Sequence, residues 1–392
     1  MHRLRVGVAG AGFSARLHAD AWRRVAGVDV ELVAVASEHE DRARAFADTH
    51  GVARVHSSAD ALCRDDAVDV VDLCVPNHLH ASLARFALGS GKHVIVEKPL
   101  TGCFAPRREL DARAMLETAV AEADAIVAAA ATADRLCAYA ENWIYAPPFR
   151  KAAKLLATAG GAILRIQAEE SHSGTHSEPN KHWITAGGGA LLGKGCHPLG
   201  AALYLKREEG MRSTGRAIRP QSVIAETLTL TNATAFGHVP TPIRTGYEDV
   251  EDFGLLVCTF DDGTVAEIVG ADTTLGGVRN RLTAYATNAV VEANLNPNSA
   301  VRAYAPDPNA LAAAYLSEKL ETHAGWSQPS PDEDWMQGYP AELQAVADTV
   351  VYGGSLASDA GLGRDVVAVI YGAYVAASEG RRVDLTPYFR PG

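Results

Sequence analysis

The stretch LRVGVAGAGFSARLHADAWRRV, residues 4–25, reads as strand, tight turn and helix in that order. Residues 4–9 are an apolar run suited to a short buried strand, and Gly10, Gly12 and Ala15 follow with the spacing G-x-G-x-x-A. The first glycine permits the turn, the second lets the backbone approach a pyrophosphate, and the small third residue lets helix pack on strand. SARLHADAWRRV then repeats apolar residues at helical spacing, leaving Asp20, Arg23 and Arg24 on a solvated face. A lone glycine pattern is weak, but here it stands between the strand and the helix that a dinucleotide site requires. Phe13, inside the motif, joins Gly10, Gly12 and Ala15 in the expected cofactor-binding set.

Working outward, a second strand, VELVAVAS (30–37), ends where a ribose-binding acid is expected about 20 residues after the glycines. Ser37 stands there, followed by Glu38. Serine tolerates a 2′-phosphate, and His39 or Arg42 could pair with one, whereas the Glu38 carboxylate repels it. The charge argument favours NAD slightly over NADP. Helix 40–50, a short strand near 52–55, helix 58–64, strand VDVVDLCVP (68–76), helix 80–90 and strand HVIVE (93–97) continue the alternation. That order predicts a doubly wound parallel sheet with helices on both faces. Right-handed crossovers bring the carboxyl ends of the strands to one edge. Pro76 and Asn77, and then Glu97, Lys98 and Pro99, therefore end at the edge where Gly10 and Gly12 would hold phosphates, which puts the Lys98 amine near a nicotinamide.

Composition sets the remaining bounds. A chain of 392 residues exceeds one hydrophobic core and predicts two domains. Formal charge of −11 argues against nucleic acid or an anionic membrane as main partner, and a hydrophobic content of 47% with 21% charged residues is ordinary for a soluble protein. The six cysteines contain no C-x-x-C pair and read as reduced thiols, with neither a disulfide framework nor a cysteine zinc site. The N-terminus enters a strand at once, leaving no room for the apolar core of a signal peptide, and no uncharged apolar run reaches the ~18 residues of a membrane span. The expectation is a cytoplasmic protein, and the high alanine content suggests a GC-rich bacterial genome.

VPNHLHASLARFALGSGKHVIVEKPL (75–100) resembles the signature of the Gfo/Idh/MocA oxidoreductases, the family of glucose-fructose oxidoreductase and inositol dehydrogenase. The resemblance extends through YAENWIYAPPFRKA (139–152), GGGALLGKGCHPLGAALYL (187–205), CTFDDGTVAEI (258–268) and the closing LGRDVVAVIYGAYVAASEGRRVDL, nearly the whole chain. It implies a Rossmann domain followed by an α+β domain whose large, mostly antiparallel sheet carries the substrate site and often an oligomer interface. Residues 1–138 and 139–392 are the expected domains, with a helix near 360–380 packing back on the first. The implied substrate is a sugar, cyclitol or related polyol carbinol. Lys98 is then the catalytic lysine, fixed by Glu97 and Pro99, and His197 matches the histidine of the second-domain motif.

The chemistry asks for such a pair independently. Hydride transfer from a secondary alcohol needs a proton acceptor at the hydroxyl and a stabiliser for the developing oxyanion, and a partly buried lysine or a histidine can serve. One departure stands out. The family motif commonly reads G-G-G-x-L-x-D-x-G-x-H, but the aspartate position is Gly193, with Lys194 beside it, and a later acidic position is Gly200. The usual lysine, aspartate and histidine trio is therefore incomplete.

Beyond residue 139, GAILRIQAEESHSG, VIAETLTL, GLLVCTF, TVAEIVGA and RLTAYAT alternate as strands, and Asp262-Gly263 marks a hairpin turn. KREEGMRSTGRAIRP (206–220) reads as a charged loop, and APRRELDARAMLETAV (105–120) as a helix that caps the cleft or forms an interface. His172, His176, His182, Cys196 and His197, with Glu169 and Glu170, lack a metal-ligand spacing, so no metal is expected. Asn142, Trp143, Tyr145, His172, His182, Trp183, Lys194 and His197 are the candidate substrate-binding residues. The default for the aromatic ones is packing at the domain junction. Glu141 and Asn142 are placed to hydrogen-bond substrate hydroxyls. His80, counted with the cofactor residues, and His78 are expected chiefly to hold the loop after Pro76.

Three readings stay open. The first is an NAD(P)-dependent oxidoreductase with Lys98 as general acid/base, working as a homo-oligomer on a small polyol. The second is an epimerase, lyase or glycosidase that uses bound NAD transiently. The third is a nucleotide-binding sensor without catalysis.

Overall fold

The apolar runs of the first third become strands buried on both faces. The computed structural model describes residues 2–107, 109–237, 240–296 and 301–389. Its first unit runs β1 (Arg3–Ala9), α1 (Phe13–Trp22), β2 (Asp29–Ala36), α2 (Glu40–His50), β3 (Arg54–His56), α3 (Ala59–Cys63), β4 (Val70–Leu73), α4 (His80–Gly89), β5 (His93–Val96), α5 (Ala112–Ala133) and β6 (Cys137–Tyr139). The strands pair in parallel in the order β3-β2-β1-β4-β5-β6. Strand order reverses on either side of β1, so the crevice beyond the carboxyl ends of β1 and β4 is the switch point where open α/β sheets bind ligands. Val6, Val8, Val70, Val71 and Ile95 are buried beneath helices on both faces.

The 105–120 expectation needs correction. Helix α5 starts only at Ala112, capped by the Asp111 carboxylate, which accepts from the Ala114 amide at 2.8 Å. It buries Met115, Leu116, Ala119, Val120, Ala123 and Ile126 and packs on α4. It is a covering helix of the parallel sheet, and none of the described residues of 105–120 lines the cleft described below.

The rest of the chain builds α6 (Pro147–Ala159), β7 (Ile163–Ser171), α7 (Trp183–Ala186), α8 (Ala190–Gly193), α9 (Cys196–Thr214), β8 (Pro220–Leu228), β9 (Phe253–Phe260), β10 (Val265–Ala271), β11 (Arg279–Ala286), β12 (Val290–Asn296), the β13 (Ala303–Ala305) and β14 (Gly325–Ser327) ribbon, α10 (Glu333–Gln337), α11 (Tyr339–Tyr352), α12 (Ala360–Glu379) and β15 (Val383–Asp384). A mixed sheet of order β12-β11-β7-β10-β9-β8-β15 dominates, antiparallel throughout except for β7 beside β10. In β9, Leu256, Cys258 and Phe260 are buried and the residues between them half-exposed, the mark of a sheet with one covered face.

The segment expected as a charged loop is helical over Lys206–Thr214, the last turns of α9. Lys206 is buried, and its Nζ donates to Ile163 O at 3.0 Å, Glu209 Oε2 at 2.6 Å and Asp262 Oδ2 at 2.9 Å. A buried ammonium with three oxygen partners satisfies the rule that buried charges are paired, and its charge hid the helical face in the sequence.

Helix α12 is the one described helix long and apolar enough by composition to cross a membrane, yet 78% of that window is buried against α5, α9 and β8, as in a core helix. Its Tyr371 hydroxyl accepts from Cys103 N at 2.6 Å and donates to Gly187 O at 2.5 Å. That clamp ties the loop after Lys98 to the glycine motif of the second unit.

Candidate active site

At the carboxyl edge of the first sheet, Gly10 has φ +112°, and a Cβ there would lie 2.0 Å from Cys74 O. Only glycine lets β1 turn this close to β4. Gly12 precedes α1 with open space around its Cα and no side-chain cap, so the first amides of the helix face outward. These unpartnered amides are an anion site of the kind a pyrophosphate occupies. Ala15 is fully buried, as the close packing of α1 on the sheet demands.

A cleft of about 1450 Å³ begins there. Gly10, Gly12, Phe13, Ser37, Glu38 and Arg42 line its outer end, Pro76, Asn77, Glu97 and Lys98 its middle, and Asn142, Trp143, Glu170, His172, Lys194 and His197 its inner end. Ser37 Oγ accepts from His39 N at 3.2 Å at the close of β2, the ribose position. The glycine cradle, the free helix terminus and this groove together fit a dinucleotide. Asn77 Nδ2 donates to Ala186 O at 2.9 Å and so joins the two walls.

His80 stands outside the lining. Its ring nitrogens lie 2.7 Å from Pro99 O and 3.0 Å from Val75 O, so it holds the lysine loop to the end of β4. Tyr145, His182 and Trp183 also lie outside it. The Tyr145 hydroxyl is 3.0 Å from Ser358 Oγ, Trp183 packs edge-on against Tyr371 and Tyr374, and His182 sits between Glu178 and Glu248 at the start of α7. Tyr145 and Trp183 are thus packed into the junction between the two sheets.

Lys98 is held at two points. Its backbone N donates to Glu97 Oε2 at 2.9 Å, and its Nζ donates to Gly193 O at 2.8 Å. The glycine in the motif's aspartate position thus contributes a carbonyl. Burial opposes the ammonium, but the surrounding acidic groups, Cys196 first and then Glu170, Glu97 and Glu141, carry its pKa above the ordinary lysine value.

Beneath it lies a buried network that motif reasoning missed. His18 Nδ1 lies 2.9 Å from Asp72 Oδ1, His18 Nε2 lies 3.2 Å from Glu97 Oε1, and Trp22 Nε1 donates to Asp72 Oδ2 at 2.9 Å. His18, Asp72 and Cys74 are the one cluster of metal-ligand atoms among the described residues, and these mutual bonds account for it. The visible signal was a polar residue inside each of two apolar runs, His18 in the first helix and Asp72 in VVDLCV.

A ring with a carboxylate at each nitrogen is an imidazolium. Burial lowers the His18 pKa, but the Asp72 charge and hydrogen bond outweigh it, leaving the value well above 6.5. The folded protein therefore keeps a proton that the unfolded chain loses near pH 6.5. The stabilisation is complete below that pH and fades as pH rises through the folded value. His18→Gln should lower the melting temperature most at about pH 6, and the deficit should narrow by about pH 9. A deficit that is constant or widens, read by thermal unfolding, would refute the imidazolium.

On the opposite wall, Glu251 receives Gly189 N at 3.1 Å, Leu191 N at 2.9 Å and the Tyr374 hydroxyl at 2.9 Å, which fixes the start of α8. Lys194 Nζ lies 2.8 Å from Asp272 Oδ1, a carboxylate just past β10 that the sequence reading did not single out. His172 Nδ1 accepts from Gly174 N at 3.0 Å, and burial with Lys194 holds its pKa well below 6.5, so the ring is neutral. Burial lifts Glu170 to about 7. Asn142 Nδ2 donates to Gln337 O at 2.8 Å and lines the cleft, whereas Glu141 is fully buried and does not line it. Its Oε1 lies 2.9 Å from His197 Nδ1.

Residues 4–140 match the model of the oxidoreductase family with NAD-binding Rossmann fold, and residues 149–292 match the Gfo/Idh/MocA C-terminal domain. The chain belongs to the Gfo/Idh/MocA oxidoreductase family. It is 33% identical over 224 residues, 56% of its length and 59% of the relative's, to dTDP-3,4-didehydro-2,6-dideoxy-alpha-D-glucose 3-reductase of Streptomyces violaceoruber. It is 46% identical over 71 residues, 18% of its length and 22% of the relative's, to D-xylose 1-dehydrogenase (NADP(+)) 2 of Haloferax volcanii. The chain thus spans from about a fifth to about three fifths of these curated relatives. Among solved structures it is similar to GenD2 from gentamicin A biosynthesis in complex with NAD, with a TM-score of 0.80, 26% identity and coverage of 98% of this chain and 97% of that one. Myo-inositol 2-dehydrogenase from Lactobacillus plantarum, at 17% identity, TM-score 0.73 and coverage of 97% and 99%, shares the fold.

Proposed function

We propose that this Gfo/Idh/MocA protein is an NAD(P)-dependent oxidoreductase acting on a secondary alcohol, or the corresponding ketone, of a sugar, cyclitol or glycoside. One observation carries the reading. Lys98 and His197, from opposite walls, line a single cleft whose outer end is the glycine cradle. The relatives named as acting on sugars support the substrate class.

When bound, the cofactor supplies or accepts a hydride at the carbinol carbon. The chain's own residues manage the oxygen. Lys98, an ammonium held by Gly193 O, donates to the carbonyl oxygen and stabilises the developing oxyanion, acting as general acid toward a ketone and as general base in reverse. His197, which burial and the neighbouring Lys98 and Lys194 keep neutral, assists in the same proton traffic. Lys194, His172 and Asn142 offer donors to the remaining hydroxyls, and the Lys194–Asp272 pair keeps that ammonium from acting as a free charge.

The test has two steps. Freshly purified protein is denatured and the released nucleotide identified by mass spectrometry, and the protein is then assayed with sugars and cyclitols using NAD and NADP. Reduced-cofactor formation with at least one polyol is expected, with NAD preferred because Glu38 borders the ribose site. An NADP preference of about tenfold in kcat/KM would overturn the cofactor choice. Retained NAD, together with conversion of a substrate without net change in reduced-cofactor absorbance, would replace the dehydrogenase by a redox-neutral cycle.

A further inference from the structure

The two positions where this chain lacks the motif's acids are both glycine, and each glycine has a structural use. Gly193 supplies the carbonyl that holds Lys98 Nζ. Gly200, one turn into α9, makes room, since a Cβ there would lie 2.8 Å from Glu141 Oε2. Glu141 stands two residues beyond β6. It is fully buried, and its Oε1 lies 2.9 Å from His197 Nδ1. The imidazole is clamped from its face as well, by the Trp143 indole at 6.2 Å between centroids and 7° between planes. His197 Nε2, at the other end of the ring from Glu141, has no protein partner among the described residues, and His197 lines the cleft.

We propose that Glu141 and His197 form one proton-holding pair that replaces the missing aspartate, with Glu141 acting only through His197 as a positioning and proton-storing residue. This rests on the carbinol oxidoreductase reading given above. The groups facing the pair favour the neutral forms. Burial, then Glu342 of α11 and Glu170 of β7, push the Glu141 carboxyl up, while burial, then Lys98 and Lys194, push His197 down. The resting pair is therefore a carboxylic acid donating to Nδ1, with Nε2–H toward the cleft. In ketone reduction the carbonyl carbon takes a hydride from the cofactor and its oxygen takes a proton from Lys98. The Nε2–H bond then breaks to restore the Lys98 ammonium, and the Glu141 proton crosses to Nδ1. The pair ends as a carboxylate beside a neutral Nδ1–H imidazole, one proton poorer, and a proton from water entering the cleft reloads it. Alcohol oxidation runs each transfer backward.

Glu141→Gln decides between storage and mere support, because glutamine keeps the size and a hydrogen bond to Nδ1 but has no proton to give. On a substrate found in the polyol panel, kcat is expected to fall about 100-fold and its pH profile to change, with KM and cofactor affinity within about twofold of the wild type. A kcat within about threefold and an unchanged profile would overturn the proposal. A second readout needs neither substrate nor the variant. The ¹⁵N spectrum of imidazole-labelled wild-type protein, assigned with His197→Asn, should show Nε2 protonated and Nδ1 as an unprotonated, hydrogen-bonded nitrogen. A Nδ1 that is protonated across the neutral range, or that shows no hydrogen bond, would overturn the stored proton even if Glu141→Gln fails to fold. If the wild type turns over no polyol, the functional reading falls, and the spectrum still decides the pair.

Discussion

Replacing Lys98 with alanine should lower turnover by about two orders of magnitude or more, equivalent to at least about 2.7 kcal/mol of transition-state stabilisation, while leaving dinucleotide affinity close to wild type. The two effects separate because different atoms serve them. The phosphates are offered the Gly10 turn and the free amides of α1, and neither depends on the Lys98 side chain. The Lys98 backbone keeps its place through Glu97 Oε2 and through His80 holding Pro99 O, so the truncation removes the ammonium without releasing the loop. What disappears is the donor that reaches from this strand end to Gly193 O on the facing wall. Steady-state kcat and a fluorescence titration of the cofactor check both halves. Unchanged turnover would remove Lys98 from the mechanism, and collapsed cofactor affinity would make it a binding group.

What the sequence disclosed and what it hid follow the range of the interactions involved. The β1–turn–α1 unit is local. Its glycine spacing, strand run and helical period lie within one short stretch, and position and conformation agree with the expectation from Gly10 to Ala15. The lysine at the end of β5 was legible for the same reason, since a strand end in a parallel sheet has one edge to go to. Alternation revealed β9 and β10, and Gly263 at φ +84° closes their turn as Asp262-Gly263 suggested. The parallel pairing of β7 with β10 joins segments about a hundred residues apart, and no local pattern encodes it. The site contacts that were missed share that character. His18 meets Asp72 and Glu97, Glu141 meets His197, and Lys194 meets Asp272 only after the two sheets are assembled. Tyr145 and Trp183 erred in the opposite direction, because aromaticity suits a sugar face and a core equally and only the packing tells them apart.

A single methyl at position 10 should cost the protein stability and dinucleotide binding together, whereas the same methyl at position 12 should cost binding alone. At Gly10 the added carbon meets Cys74 O at 2.0 Å and Cys74 C at 2.7 Å, both backbone atoms. Neither side can yield cheaply. Gly10 N donates to Ala36 O at 2.7 Å and Cys74 N to Ala9 O at 2.8 Å, so relief requires breaking the junction of β1 with β2 or with β4. The left-handed φ of +112° adds about 1–3 kcal/mol for a non-glycine residue, and overpacking adds about 1–3 more. A loss on the order of 2–6 kcal/mol is a large share of the ~5–15 kcal/mol that holds a domain together. Gly12 differs on each point. Its φ is −88°, and a Cβ there meets nothing within 4 Å. Gly12→Ala should therefore melt near the wild-type temperature, yet its methyl occupies the space through which a pyrophosphate approaches the first amides of α1. Thermal unfolding and an NAD titration on the two variants read the two quantities independently. Wild-type NAD affinity in Gly12→Ala would mean that the phosphates bind elsewhere than at the start of α1, and the orientation of the cofactor toward Lys98 would have to be redrawn with them.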